Sequence, residues 1–338
     1  MKMTIKDIAA KCGVSVSTVS RVLNNQPYVK QDVREKVLKV IAEEHFVPHE
    51  GAASLARTQE DSIGVVIRGI KNPFFNEMVS TILKRAHELG YNTYLHQIRV
   101  GENEIAEAAS LAKSHKLKGV ILLGGNFDRT PAEMEQIDVP IVCCTFSNIF
   151  GGISSKDFSS VCIDDEDTAY KAVSYLASQG HKRIAIVLPS VEDKSISELR
   201  YLGYCKAMKE AGLEVENDLI ISTGDYSMEA AYDGVKRAVV EGAEFTAAFG
   251  ISDLIALATM KALSDCGKQI PEDVSVVGID GIDMTSYFIP TLTTLVQPRD
   301  LMANRAVEIM AQIIEGEQNG VHEIVDAELR IGESVRSI

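Results

Sequence analysis

Several features that would place this chain in a specialised class are missing from its sequence. None of the six cysteines forms a CxxC pair or a framework spacing; they lie at positions 12, 143, 144, 162, 205 and 266. We therefore expect buried, reduced thiols rather than disulfides. No apolar run approaches the length of a membrane-spanning helix, and the N-terminal "MKMTIKDIAA" contains no apolar signal core. The sequence predicts a soluble protein located in the cytoplasm.

The common signatures of catalysis are also missing. No GxGxxG follows the first apolar strand candidate, "IGVVI", and neither GxxxxGK[ST] nor the nucleophile elbow GxSxG occurs. We find no Ser/His/Asp set that could act together. The sequence therefore predicts a protein that is not an enzyme and that uses no cofactor.

Two groups of potential metal ligands have simpler explanations. The acidic run 164–167 stands at the start of a predicted helix, where carboxylates interact favourably with the helix dipole. His45 and His49 have i,i+4 spacing, but Pro48 breaks the helix between them. We expect no metal site.

Positive charge is scarce over the chain as a whole, whose net charge is −14. Such a chain is not built throughout to coat nucleic acid or an anionic membrane. Residues 1–59 differ, because they hold nine Lys and Arg against six acids, a net of +3 that leaves −17 for the remainder. A basic N-terminal segment on an acidic body predicts a small anion-binding module joined to a domain with another task.

The spacing of apolar residues divides the chain into three regions. Residues 1–49 have helical spacing throughout, and Pro48 ends the third predicted helix. Residues 50–62, "EGAASLARTQEDS", are small and polar, and a helix of this length is not stable alone in water. We expect a helical head at 1–49, a hinge helix or linker at 50–62, and a separate body at 63–338.

In the body, apolar segments alternate with amphipathic helical patterns. The ten strand candidates are "IGVVI", "NTYLH", "GVILLG", "PIVCC", "SSVCID", "RIAIVLP", "LIIST", "FTAAFG", "VSVVGID" and "LTTLVQP". This alternation is typical of an α/β fold with parallel sheets covered on both faces. Ten strands exceed one comfortable sheet, so we predict two lobes with a ligand between the carboxyl ends of their strands. We expect lobe 1 at about 63–161 plus 292–320 and lobe 2 at about 162–291 plus 321–338.

The segment "VSVSTVSRVLNN" (14–25) is a weak helix former between two stronger predicted helices. Its β-branched and hydroxyl side chains lower helix propensity, yet its valines recur at spacings that suit packing against the first helix. With Gly13 at the turn, this is a helix-turn-helix pattern, whose second helix lies in the major groove of DNA. The alternative is a polar surface helix, because such patterns are often false positives.

Under the helix-turn-helix interpretation, the outward side chains of this segment contact DNA. Val16, Ser17 and Arg21 point away from the first helix, and Arg21 can donate two hydrogen bonds to guanine O6 and N7. Hydroxyl groups can bind phosphates, which positions the helix without specifying a base sequence. The candidates for phosphate contacts are Ser15, Thr18 and Ser20.

The segments "TIKDIAAKCGVSVSTVSRVLNN", "FVPH" and "AASLA" resemble the head and hinge of the lac repressor family of bacterial transcription regulators. The likeness continues in the family's order through "NPFFNEMV", "SQGHKRIAIV", "ELRYLGYCKAM", "SDLIALATMKAL", "PEDVSVVGID" and "PTLTTLVQP". Each segment alone is a weak signal, whereas the ordered set covers nearly the whole chain and is specific.

The resemblance implies a homodimer whose two heads read a pseudo-palindromic operator, with hinge helices in the central minor groove. Leu55 matches the family's wedge residue, which inserts between base pairs and bends the duplex. Ala53 stands where the family commonly has Arg. The DNA-contacting residues expected from the pattern and the resemblance together are Thr4, Ser15, Val16, Ser17, Thr18, Ser20, Arg21, Asn24 and Leu55.

The body resembles periplasmic sugar-binding proteins, which share the two-lobed fold. A site for a polyol needs an aromatic plate and planar charged or amide groups. The resemblance implies an effector site formed by Asn72, Phe74, Phe75, Phe146, Lys194, Arg200, Tyr226, Ser252, Asp253 and Asp280.

Some of these residues have alternative explanations. Phe75 fits an apolar helix stripe with Val79 and Ile82, so core packing is as well supported as ligand contact. Tyr226 could simply cap a loop. Arg200 is the strongest candidate, because a lone Arg in "SELRYLGYCKAM" is costly to bury unless a carboxylate or a ligand pairs with it.

The sequence therefore predicts a sequence-specific DNA-binding transcription regulator, most simply a repressor, whose operator affinity is changed by a small-molecule effector. A sugar is the favoured effector, and nucleobases or nucleosides come next. Thr145 and Ser252 replace an acid and an Asn of many relatives, so the effector's identity and the direction of its effect stay open. The tail "IGESVRSI" lacks leucine heptads, which favours a dimer over a tetramer. The alternative function is a solute-binding protein for a sugar or nucleoside without a DNA role.

Overall fold

The structure, a computed structural model, describes residues 4–23, 29–44, 61–99, 101–125, 128–146, 152–317 and 319–338. The chain divides into two compact units, residues 1–60 and residues 61–338, and each has its own hydrophobic core. The predicted hinge at 50–62 falls almost entirely outside the described residues. In the part of the chain that the structure describes, no helix is long and apolar enough to cross a membrane.

Three helices are described in the first unit: α1 (Ile5–Cys12), α2 (Val16–Leu23) and α3 (Gln31–Glu43). Their core contains the side chains expected from helical spacing, including Ile8, Val19, Val22 and Val37. Gly13 makes the turn between α1 and α2 with a φ of 65°, which glycine adopts without steric cost. The predicted helix-turn-helix arrangement is therefore confirmed.

The second unit alternates strands with helices. Its strands are β1 (Ser62–Arg68), β2 (Asn92–Ile98), β3 (Gly119–Leu123), β4 (Ile141–Cys144), β5 (Ser159–Ile163), β6 (Ile184–Leu188), β7 (Ile220–Ser222), β8 (Ala247–Gly250), β9 (Ser275–Asp280), β10 (Thr293–Val296), β11 (His322–Val325) and β12 (Glu328–Arg330). Its α-helices are α4 (Pro73–Glu88), α5 (Glu104–His115), α6 (Pro131–Met134), α7 (Asp165–Ser178), α8 (Ile196–Glu210), α9 (Met228–Val240), α10 (Asp253–Asp265) and α11 (Arg299–Ile314). Two 3₁₀ helices cover Asn217–Leu219 and Asp283–Tyr287.

The strands form two six-stranded sheets, in the orders β11-β5-β4-β3-β1-β2 and β12-β10-β9-β8-β6-β7. Neighbouring strands are parallel, except that β12 pairs antiparallel with β10. The central strands of both sheets are almost wholly buried, which explains why they appear in the sequence as continuous apolar runs. The predicted α/β fold with two lobes is confirmed.

All ten strand candidates form strands, and the structure adds β11 and β12 at the outer edges of the two sheets. Both added strands are short and half-exposed or exposed, and Ile324 in β11 is 68% exposed. An edge strand has a partner on one side only, and these two have neither a buried run nor a clean alternation of apolar and polar residues. The pattern that revealed the central strands was therefore missing.

The expected lobe boundaries are wrong in two places. Residues 292–320 were expected in lobe 1, but β10 pairs with β9 in the second sheet, and only α11 packs on lobe 1. Residues 321–338 were expected in lobe 2, but β11 pairs with β5 in the first sheet. The apolar run of β10 fills a central, doubly buried position that was available only beside β9. The chain consequently passes between the lobes after β5, after β10 and after β11.

One glycine controls how two helices of the second lobe approach each other. A Cβ on Gly203 in α8 would lie 2.1 Å from the carbonyl oxygen of Glu166 in α7. No side chain fits this distance, so the close packing of α7 and α8 requires glycine. Arg200 lies one turn before Gly203 and is brought against the first turn of α7.

Candidate DNA-binding surface and effector site

Helix α2 separates its apolar and polar side chains as expected. Val19 and Val22 are buried in the core of the first unit, whereas Val16 is 40% exposed. Ser17 and Arg21 are exposed on the same side of the helix. A short polar surface with one arginine fits the major groove, where Arg reads guanine.

Two of the residues predicted to contact DNA, Thr4 and Ser15, also serve as helix caps. The Ser15 hydroxyl accepts a hydrogen bond from the Thr18 amide at 3.1 Å and lies 2.7 Å from the Ser17 hydroxyl. The Thr4 amide and hydroxyl donate to the Asp7 carboxylate at 2.9 and 2.7 Å, and these bonds lower the pKa of Asp7. Thr4 and Ser15 therefore define the starts of α1 and α2.

Of the remaining predicted DNA contacts, Thr18 has a described side chain. Asn24 and Leu55 lie outside the described residues, and so does the side chain of Ser20, whose backbone belongs to α2. Thr18 is half-buried, and its hydroxyl lies 2.9 Å from that of Ser15.

In the body, the predicted residue Arg200 on α8 is buried and paired with a carboxylate. Arg200 is 1% exposed, and its Nε and Nη2 atoms both donate to Oδ1 of Asp165 at 2.8 Å. Its Nη1 donates to the carbonyl oxygen of Ile251. The sequence left open whether a carboxylate or a ligand pairs with this arginine, and the structure places the carboxylate of Asp165 there. Asp165 was not among the predicted site residues.

Only one of the two oxygens of the Asp165 carboxylate takes part in these contacts. Its Oδ2 atom is buried and has no hydrogen-bond partner within the described residues. Burial raises the pKa of Asp165 to about 6, even though the neighbouring Arg200 favours the charged form. A buried carboxylate oxygen that accepts no hydrogen bond costs free energy, which indicates that a bound molecule supplies the missing donor.

Asp280, the last residue of β9, joins the two lobes. Its Oδ2 accepts from Nδ2 of Asn72 in the first lobe at 3.2 Å, and its Oδ1 accepts from Nε2 of Gln297 at 3.0 Å. Asp280 has a φ of 137°, a strained conformation for a non-glycine residue and one that is typical of functional sites. Burial raises its pKa to about 7 against the opposing effect of Arg200, and Asp253 raises it further.

Gln297 contributes a second buried acceptor to this region. Its Oε1 atom has no hydrogen-bond partner among the residues that the structure describes, while its Nε2 is held by Asp280. Gln297 follows β10 directly, at the carboxyl end of that strand. Gln297 was not predicted from the sequence, because this residue appeared only at the end of the strand candidate "LTTLVQP".

Asp253 and Ser252 have contacts within the protein. Asp253 accepts from the Ile282 amide at 2.8 Å and from the Thr294 hydroxyl at 2.5 Å. The Ser252 hydroxyl caps α10 by accepting from the Ile255 amide at 3.4 Å. These residues therefore hold the framework behind Asp280.

The predicted aromatic residues divide between the core and the strand ends. Phe74 and Phe146 are 2% and 0% exposed and lie in the hydrophobic clusters of the first lobe. Phe75 is half-buried and lies over the turns at the ends of β1 and β3, with its ring 3.3 Å from a Cβ built on Gly69 and 3.6 Å from one on Gly124. Phe74 is buried in the apolar stripe of α4, and Phe75 packs partly against the same core.

Tyr226 and Lys194 lie on loops of the second lobe. The Tyr226 hydroxyl donates to Oδ2 of Asp193 at 2.8 Å and lies 2.7 Å from the Ser195 hydroxyl, and Tyr226 packs partly against the core. Lys194 is exposed and pairs with Glu198 at 2.8 Å. In the described part of the body, no hydrogen bond or ion pair joins Lys194 to Arg200 or Asp280.

The acidic run 164–167 performs two different tasks. Asp164 caps α7 by accepting from the Asp167 amide at 2.9 Å, as expected for a carboxylate at a helix start. Asp165 turns inward to Arg200, which the sequence alone did not distinguish from its neighbours. Within the described ranges, no group of three or more His, Cys, Asp or Glu residues could hold a metal ion.

Two family descriptions match the chain. "Bacterial regulatory proteins, lacI family" matches residues 4–49, and "Periplasmic binding proteins and sugar binding domain of LacI family" matches residues 60–329. The HTH-type transcriptional regulator MalR of Clostridium butyricum is 40% identical over 329 residues, which cover 97% of this chain and 97% of that protein.

Solved structures show the same architecture. The transcriptional regulator CelR in complex with cellobiose is 27% identical, has a TM-score of 0.72, and aligns over 98% of this chain and 99% of its own. The lac repressor bound to ONPG in the repressed state is 25% identical, has a TM-score of 0.79, and aligns over 99% of this chain and 100% of its own.

Proposed function

The chain belongs to the lacI family of DNA-binding transcription regulators, and we propose that it acts as a homodimeric repressor whose effector is a sugar bound between the two lobes. Its relatives are regulators and not enzymes. The proposal assigns residues 1–49 to operator recognition, 50–62 to a hinge, and the body to effector binding and dimerisation.

The observation that carries the sugar proposal is a pair of buried acceptors without donors. Oδ2 of Asp165 and Oε1 of Gln297 have no hydrogen-bond partner within the described residues, and both belong to the cluster around Arg200 and Asp280. Leaving such atoms unpaired costs free energy, which a ligand rich in hydroxyl donors recovers. The half-buried rings of Phe75 and Tyr226 add aromatic surface for the apolar face of a sugar ring.

A nucleobase fits this arrangement less well than a sugar. Nucleobases offer few donors, whereas a sugar has a hydroxyl on most of its carbons. The CelR complex with cellobiose, at 27% identity, supports a carbohydrate in this fold. We therefore propose a mono- or disaccharide as the effector.

The hydrogen bond between Asn72 and Asp280 suggests how the effector acts. It links the lobes at 3.2 Å, and an effector hydroxyl that donates to Asp280 competes with Asn72 for the same oxygen. Effector binding would then favour one relative orientation of the two lobes over another. Such a population shift would change the affinity of the protein for its operator.

A thermal-shift screen over sugars, nucleosides and amino acids tests the effector class. A sugar at about 100 times its Kd should raise the free energy of unfolding by roughly 2.7 kcal/mol. Asp165→Asn should abolish this gain, because the amide replaces an acceptor oxygen. Asp167→Asn is the matched control, since Asp167 is in the same helical turn but pairs with Lys171 on the surface. A stabilising nucleoside with no stabilising sugar would overturn the sugar proposal.

The DNA role is tested with operator duplexes selected from randomised DNA. Phosphate contacts predict that log K falls linearly with log salt concentration, by roughly 0.9 per phosphate contact. Salt-independent or absent binding would favour the solute-binding alternative. The family match of residues 4–49 favours the DNA-binding function.

An exposed apolar segment of the second lobe supports the homodimer. Tyr287 and Ile289 are 87% and 96% exposed, and Phe288 beside them is 39% exposed. Such a patch on a soluble chain is typical of a self-association surface. Ile289→Asp should shift the sedimentation coefficient towards the monomer, whereas the control Val240→Asp, at a residue 77% exposed elsewhere, should not. An unchanged dimer in Ile289→Asp would exclude this surface.

A further inference from the structure

Three oxygen atoms form a closed cluster where two loops of the second lobe meet. The Tyr226 hydroxyl and the Ser195 hydroxyl both donate to Oδ2 of Asp193, at 2.8 and 2.7 Å, and lie 2.7 Å from each other. Asp193 and Ser195 belong to the loop after β6, and Tyr226 belongs to the loop after β7. The cluster therefore ties together two loops at the carboxyl ends of neighbouring strands.

The number of hydrogen atoms limits what this cluster can do. Each hydroxyl carries one hydrogen, and both hydrogens point to the same carboxylate oxygen. The Tyr226 hydroxyl therefore has no hydrogen left to donate to a ligand. What Tyr226 offers to a ligand is the face of its ring.

The backbone around Tyr226 is fixed by bonds to the same neighbouring loop. The Thr223 amide donates to the carbonyl of Leu188 at 2.9 Å, and the Gly224 amide donates to that of Pro189 at 2.9 Å. Ser195 in turn caps α8, because its hydroxyl accepts from the Ser197 amide at 3.2 Å. Helix α8 carries Arg200, so the ring and the arginine are held by one connected framework.

We propose that Asp193, with Ser195, is a positioning residue that holds the Tyr226 ring in place as the stacking surface for the effector. This inference rests on the proposed sugar-binding function. A ring that is fixed before binding loses less side-chain freedom when a sugar packs on it, so the effector binds more tightly. Asp193 would act on affinity without touching the sugar.

Hydrogen exchange in the ligand-free protein tests whether the hydrogen bonds to Asp193 hold the Tyr226 loop in place. Asp193→Ala and Tyr226→Phe should each speed amide exchange in residues 223–227 by about tenfold, because the loop loses the same anchoring bond. The double variant should exchange no faster than either single variant. Glu192→Ala is the matched control, since Glu192 is an exposed neighbour in the same loop, and it should leave these rates unchanged.

Sugar affinity tests the consequence, with cellobiose and maltose as probes in isothermal titration calorimetry. Asp193→Ala and Tyr226→Phe should each weaken binding by about three- to tenfold, and the double variant by no more than that. Tyr226→Ala should weaken it further, because the ring itself is lost.

Three results would overturn the proposal: exchange rates unchanged by Asp193→Ala, effects of the two variants that multiply, or sugar binding that survives Tyr226→Ala. Failure of both sugars to bind the unmodified protein, with the exchange results as expected, would instead count against the proposed sugar effector. The exchange measurement therefore tests whether Asp193 anchors the Tyr226 loop, and its result does not depend on which effector the protein binds.

Discussion

The two functional surfaces of this protein keep their polar groups in opposite settings. On α2 the candidate DNA contacts Ser17 and Arg21 are exposed. In the body Arg200 is 1% exposed and is paired with a buried carboxylate. Substitutions on the exposed side of α2 should therefore change folding little, whereas the candidate effector site is part of the core of the body.

The sharpest comparison is between these two arginines. Arg200→Ala should lower the free energy of unfolding of the body by about 3–5 kcal/mol, because it leaves Asp165 buried without its partner. Arg21→Ala should change the free energy of unfolding by less than about 0.5 kcal/mol. Urea unfolding followed by circular dichroism measures both. Equal effects would show that the two surfaces do not differ in this way.

Two glycines extend the comparison to the backbone. Gly203→Ala should cost roughly 3 kcal/mol, because its Cβ would lie 2.1 Å from a carbonyl oxygen that cannot easily move. Gly13→Ala should cost only about 1 kcal/mol, since no atom lies within 4 Å and only the left-handed φ of 65° opposes alanine. Thermal unfolding of each variant checks the order. A larger loss for Gly13→Ala would contradict the close packing of α7 and α8.

Base recognition should depend on the head alone. Arg21→Ala should reduce discrimination at one operator base pair by about 1–3 kcal/mol, because the paired hydrogen bonds to guanine are lost. Sugar affinity should stay unchanged. Binding to operator variants by fluorescence anisotropy, with calorimetry for the sugar, provides both numbers. Uniformly weaker binding to every sequence would indicate that Arg21 contacts phosphate instead.

The body should respond to pH through its buried acids. The pKa of Asp280 is about 7 in the folded body against an ordinary value of 3.8, so the folded state binds more protons between these values. Protonation of Asp280 therefore contributes to the free energy of unfolding in full below pH 4. This contribution is lost as the pH rises to 7, at up to about 1.4 kcal/mol per pH unit. Asp280→Asn should therefore melt higher than the unmodified protein at pH 8, and the gap should narrow towards pH 5. A gap independent of pH would contradict a raised pKa.

Much of the fold could be predicted because burial on both faces produces continuous apolar runs. The central strands were visible for this reason, and the helix-turn-helix pattern was visible from the helical spacing of its apolar residues. The edge strands β11 and β12 were missed because they have one buried side at most. Because β11 was not recognised, its residues were assigned to the wrong lobe. Within α4, adjacent residues differ by about 100° around the axis, so Phe74 is buried while Phe75 is half-buried, a distinction that the sequence pattern did not make.

The candidate site was predicted only in part. Arg200 was recognisable because a lone arginine in an apolar helix needs a partner. That partner, Asp165, was one of four consecutive acids, and only the close approach of α7 and α8 at Gly203 selects it. Asp193 and Gln297 act through loops whose meeting depends on strand order, which no local pattern encodes.

The three passages of the chain between the lobes also bear on how the protein is made. Each sheet receives one of its two outer strands from residues 322–330. Until a ribosome has added these residues, each sheet lacks that strand, although all residues of the head have been synthesised long before. A chain cut short before residue 322 would therefore present a DNA-binding head on a body unable to complete either lobe.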